Sequence, residues 1–103
     1  MTMHMSRASL YFDRTEDAAL ITPDALRIRF RLSGFPIAEL RQTEDGPNLQ
    51  LGDKLELWLS EESGFITEIA MDVTFVDTSG DRRVRRAAEL LESMGWICEE
   101  SMD

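Results

Sequence analysis

Leu55-Glu56-Leu57-Trp58-Leu59-Ser60-Glu61-Glu62-Ser63-Gly64-Phe65-Ile66-Thr67-Glu68-Ile69-Ala70-Met71-Asp72-Val73-Thr74-Phe75 is the stretch on which the fold turns. Leu55, Leu57 and Leu59 fall on one face of an extended chain, with Glu56 and Trp58 on the other. Beyond the turn, Phe65, Ile69, Met71, Val73 and Phe75 share one face and Glu68, Asp72 and Thr74 the opposite one. This period of two belongs to half-buried strands, here joined as a hairpin. A three-residue loop, Glu62-Ser63-Gly64, would let Gly64 take the left-handed conformation that such hairpins favour. It predicts Leu57 opposite Ile69, Leu55 opposite Met71, and Lys54 opposite Asp72 outside. Shifting the pairing by two residues would oppose Glu56 to Glu68, and shifting by one would turn the core face to water.

Upstream, Ala8–Phe12 reads as a first strand, after a flexible tail over residues 1–6 that holds His4, the chain's single histidine. A polar turn follows at Asp13–Asp17. Ala18–Thr22 reads as a short strand or one helical turn, closed by Pro23-Asp24. Leu26, Ile28, Phe30 and Leu32 alternate with Arg27, Arg29 and Arg31, which predicts a strand over 26–32. Ser33-Gly34 breaks it, and Phe35–Gln42 reads as another strand. Thr43–Asn48, with Asp45-Gly46-Pro47 inside, is a turn. Leu49 and Leu51 extend the leucine face, interrupted at Gly52-Asp53 by a bulge or bend.

Downstream the period changes. Thr78 and Asp81 have capping-box spacing. Val84, Ala87, Ala88, Leu91 and Met94 recur at helical spacing, and Gly95 is placed to end the helix. The sequence therefore predicts one long C-terminal helix, about 79–94, packed on one face of a mainly antiparallel sheet of five or six strands. The class is α+β, in a single domain. The expected core is Leu55, Leu57, Leu59, Ile69, Met71, Val73, Phe75, Val84, Ala88 and Leu91. Trp96-Ile97-Cys98 is a short last strand or a plug on the core, before a frayed tail over 99–103.

The charge is unevenly placed. From Glu39 to Asp81 there are eleven acidic side chains against Arg41 and Lys54, which accounts for the whole formal charge of −9; the flanks cancel. Glu56, Trp58, Glu61, Glu62, Glu68 and Asp72 are the expected partner-binding residues. An acidic face steers a basic partner toward it, and an aromatic among charges can anchor one. Direct binding to nucleic acid is disfavoured, since phosphate contacts need basic patches.

Two basic groups offer an alternative. Arg82, Arg83, Arg85 and Arg86 crowd the start of the helix, where cations are disfavoured. They are expected to reach the acidic sheet face, Asp77 or Asp81. Arg27, Arg29, Arg31, Arg82, Arg83 and Arg86 are the candidate anion-binding set. The spacing Arg27-x-x-x-Arg31 resembles the first motif of cyclic-dinucleotide-binding PilZ domains, and this resemblance implies a nucleotide ligand. The family's second motif, Asp-x-Ser-x-x-Gly, is not matched: Asp77-Thr78-Ser79 is followed by Arg82 where glycine belongs.

No phosphate loop, nucleophile elbow, calcium loop or zinc spacing occurs, and His4 alone could serve a Ser or Cys nucleophile. Hence no catalytic residue, metal or cofactor is expected. Cys98, the single cysteine, reads as a small core residue and fits a reducing compartment. No stretch approaches the ~20 apolar residues of a membrane span, so the expected location is the cytoplasm. The leading expectation is a non-enzymatic inhibitor that docks its acidic face on a basic, nucleic-acid-binding protein. Phage- or plasmid-encoded inhibitors of CRISPR and restriction systems, and immunity proteins, work on that physics. The alternatives are a nucleotide sensor using the arginines, and a structural subunit or homodimer.

Overall fold

A computed structural model of the chain describes residues 6–52, 54–75 and 80–99. The elements in chain order are β1 (Ser6–Arg14), α1 (Pro23–Leu32), β2 (Glu39–Thr43), β3 (Gly46–Gly52), β4 (Leu55–Glu62), β5 (Phe65–Phe75), α2 (Gly80–Ser93) and β6 (Trp96–Glu99). The strands form one six-stranded antiparallel sheet in the order β2-β3-β4-β5-β1-β6. Both helices pack on the same face, because Leu26 and Phe30 of α1 and Ala87 and Leu91 of α2 join one buried cluster with the inward side chains of the strands. Among the described residues no helix packs on the other face. The class is therefore α+β, as its periodicities predict, but one point is corrected. Instead of a single long C-terminal helix, two short helices of ten and fourteen residues share the layer.

The strand expected over 26–32 is α1. Thr22 caps it, its hydroxyl accepting the Ala25 N–H at 3.2 Å, and Pro23 opens it with φ already helical. Asp24 lies in the first turn, and its carboxylate meets Arg27 one turn on at 2.8 Å. Pro23, Leu26 and Phe30 are the buried positions, at helical spacing. Ile28 and Leu32, which complete the apparent alternation, are exposed. Phe35 does not start a strand. Its N–H bonds to the Phe30 carbonyl, and its ring meets the Phe30 ring edge-on at 5.1 Å, closing the end of α1.

The β4–β5 register also differs from the one expected. Leu59 faces Ile69, Leu57 faces Met71, Leu55 faces Val73, and Glu56, not Lys54, faces Asp72. The loop is the two residues Ser63 and Gly64, both left-handed at φ 56° and 84°. The reason lies on the inner face. The expected register would have opposed Leu59 to Thr67, whereas this one gives every leucine of β4 an apolar partner. Burying an aliphatic side chain contributes about 1.5–3 kcal/mol, while a like-charge cross-strand pair costs roughly 0.2–1 kcal/mol. A bulge between Ser60 and Glu61 then sets Ile66 inward and Phe65 outward, so Phe65 leaves the face assigned to it.

Thr43–Asn48 is partly strand: the turn proper is Glu44-Asp45, and Pro47 and Asn48 already pair with β2. The pairing is irregular between Gln50 and Gly52, as a bulge there would make it, but the leucine face is not one strand: β3 and β4 run antiparallel, Gly52 pairing with Leu55. Leu55, Leu57, Leu59, Ile69, Met71, Val73 and Leu91 are buried, and Val84 and Ala88 pack partly buried against them. Trp96 is both the first residue of β6 and a buried core side chain, and Cys98 packs half-buried beside the cluster. Gly95 ends α2 at φ 95°, where an added Cβ would lie 2.8 Å from the Ala18 Cα. The side chains of Phe75 and Asp81, and the residues His4, Asp53, Asp77 and Thr78, lie outside the described residues, so the Thr78–Asp81 capping pair does too.

Candidate functional site

The helix-free face of the sheet is built in rows across the strands. One row runs Glu39, Gln50, Glu56, Asp72, Ser9; the next runs Arg41, Asn48, Trp58, Ala70, Tyr11, Glu99; a third runs Ser60, Glu68, Asp13, Ile97. Glu56 and Asp72 oppose each other directly, and each carboxylate is supplied with donors. Glu56 accepts from the Gln50 amide at 2.7 Å, the Asn48 amide at 3.3 Å and the Trp58 indole N–H at 3.2 Å. Asp72 accepts from the Ser9 hydroxyl at 2.7 Å. Hydrogen bonds to a charged acceptor are worth more than neutral ones, which offsets the repulsion.

One of these bonds also holds an aromatic side chain. The Trp58 indole is tied to Glu56 and half-buried on this face. Ala70 pairs with Trp58 on one side and with Tyr11, 48% exposed, on the other. Two strand spacings put the aromatic residues about 10 Å apart with only a methyl group between them. The two aromatic residues thus flank Ala70 on the open face. Glu56 and Asp72 lie in the row on one side of them and Glu68 and Asp13 in the row on the other, while Glu99 continues their own row beyond Tyr11. The Glu99 carboxyl is held above its ordinary value by its hydrogen bond to the Asp13 side chain and by the nearby Asp13 and Glu68 charges.

Of the sequence-predicted residues, Glu56, Trp58, Glu68 and Asp72 meet on this face. Glu61 and Glu62 sit apart, exposed at the end of the β4–β5 hairpin. Tyr11, Ala70, Asn48 and Gln50 were missed. Asn48 reads as a turn residue beside Gly46-Pro47, and no single-strand reading shows that Ala70 separates two aromatic residues.

The arginines lie on the helical side and do not converge. Arg27 holds Asp24. Arg86 donates to the Ser33 carbonyl at 2.8 Å and lies 5.3 Å from the centre of the Phe35 ring, a cation–π contact, rather than reaching the acidic face. The Arg83 guanidinium fills the space beside Gly52 that a Cβ would need. Arg29, Arg31 and Arg82 are exposed. On a helix, Arg27 and Arg31 are one turn apart. Among the described residues no group of three His, Cys, Asp or Glu side chains is arranged to hold a metal ion, and no helix is long and apolar enough to cross a membrane. Comparison with protein-family models, curated proteins and solved structures finds no match to this chain.

Proposed function

We propose that this protein is a non-enzymatic binding module whose open sheet face docks on a basic protein in the cytoplasm. The observation that carries the reading is the row Trp58–Ala70–Tyr11 on the open face, with carboxylates in the rows on both sides of it. An arginine or lysine side chain inserted there would lie against aromatic faces and meet charge-assisted acceptors at either rim. The pre-formed bonds on Glu56 lower the entropy lost on docking, since the indole is already oriented. A nucleic-acid-binding surface is a basic partner that an acidic face of this kind would suit, and blocking such a groove would make the protein an inhibitor of the CRISPR, restriction or toxin-immunity kind.

The test is calorimetric titration with an arginine-rich peptide. Trp58→Ala, or the triple reversal of Glu56, Glu68 and Asp72 to Lys, should abolish the heat of binding while leaving the circular dichroism spectrum unchanged. Binding by the parent should weaken steeply with salt. Retention of binding by both variants would remove the sheet face from consideration.

A further inference from the structure

The helical side of the molecule presents a surface that the acidic face leaves unexplained. On α1, at 100° per residue, Ile28 and Leu32 lie opposite the buried Leu26 and Phe30. They form an apolar crest, 43% and 80% exposed. Arg29 stands on one flank of that crest and Arg31 on the other. Arg29 also lines an open recess of about 280 Å³, whose remaining walls are Ala19, Leu20, Ile21 and Met94; Leu20 is itself 58% exposed. Among the described residues the ion pairs are Arg27–Asp24 and Arg41–Glu39, so neither Arg29 nor Arg31 is matched by an acid. Contiguous exposed apolar surface rimmed by charge marks an interaction site.

We infer that this surface docks a short peptide segment that is acidic and apolar: one large apolar side chain enters the recess, and flanking carboxylates pair with Arg29 and Arg31. Three considerations select that occupant. The recess is walled by Ala19, Leu20, Ile21 and Met94, so an apolar side chain suits it, and about 280 Å³ gives room for a large one. Arg29 and Arg31 have no acid partner among the described residues, so carboxylates are the groups that complement them. The chain's net charge of −9 opposes an extended anionic membrane surface, and a second copy of itself, more than it opposes a short peptide carrying a few charges. This inference does not depend on the sheet face, which lies on the other side of the sheet.

The experiment is an amide ¹H–¹⁵N NMR titration of the full chain with the capped peptide Glu-Asp-Leu-Phe-Glu-Asp at millimolar concentration. A control peptide carries Lys at the four acidic positions. Shifts are expected at residues 19–21, 28–32 and 94, with at least tenfold weaker binding by Arg29→Glu and by the control. The triple reversal of Glu56, Glu68 and Asp72 should bind the acidic peptide no less tightly than the parent. Arg29 is exposed, so the remaining resonances of the variant report an intact fold; Leu20→Ala, which widens the recess, provides a second variant. Absence of shifts, shifts elsewhere, or equal binding of the lysine control would each overturn the proposal. So would sedimentation with phosphatidylserine vesicles through α1 without a response to the peptide, since the partner would then be a membrane.

Discussion

Leu49, Leu57 and Met71 lie side by side on one face of the sheet, and Gln50, Glu56 and Asp72, each one residue along, lie side by side on the other. The backbone is common to both rows. On the inner face, register is selected by burial, and each leucine of β4 finds an apolar partner. On the outer face the same register forces two carboxylates together, and the sequence answers with donors: Asn48, Gln50 and Trp58 for Glu56, and Ser9 for Asp72. The larger energy sets the alignment, and the weaker interactions are fitted around it.

That ordering can be broken by experiment. Leu57→Ala should cost about 2–5 kcal/mol in urea unfolding, because the side chain is fully buried; a loss under about 1 kcal/mol would mean that the inner face does not dominate. Glu56→Ala should cost less, about 1–2 kcal/mol, even though it relieves the repulsion with Asp72. It strips the acceptor from the amide of Asn48, which is only 3% exposed. If Glu56→Ala stabilises the protein, repulsion outweighs the donors and the outer face is strained rather than satisfied.

The smallest effect concerns pH. A Glu99 carboxyl raised above 4.5 favours the folded state when protonated. Its contribution is fully present below the unfolded value and is lost as pH rises through the raised one. Asp13→Asn should move the Glu99 titration, followed by NMR of the side-chain carboxyl carbon, back toward 4.5. An unmoved titration would remove Asp13 as the cause.

The strand periods in β4 and β5, the helical stripe of α2 and the stop at Gly95 were legible because each element is amphipathic in its own period. α1 was not. Ile28 and Leu32 supply apolar residues at alternating positions without being buried, and only packing reveals that Leu26 and Phe30 alone face the sheet. The cap at Thr22-Pro23-Asp24 was the contrary signal, and it outweighs an alternation of four residues. The hairpin register failed on Ser63, which adopts positive φ where glycine alone had been allotted it. The acids and Trp58 of the candidate site were legible by parity, but the Trp58–Ala70–Tyr11 row was not, since it depends on Ala70 pairing with strands on both sides.

The position of β1 shapes how this chain reaches its native state. Strands β2 to β5 are neighbours both in sequence and in the sheet, so they can zip together through short loops. β1, made before them, must enter on the far side of β5, and β6 must then add to β1, bringing Phe12 beside Cys98 near opposite ends of the 103 residues. Contacts so distant along the chain carry the entropy of closing a long loop before any of it is returned. The meander is therefore expected to be protected early in pulsed hydrogen exchange, with the amides of β1 and β6 acquiring protection together and last.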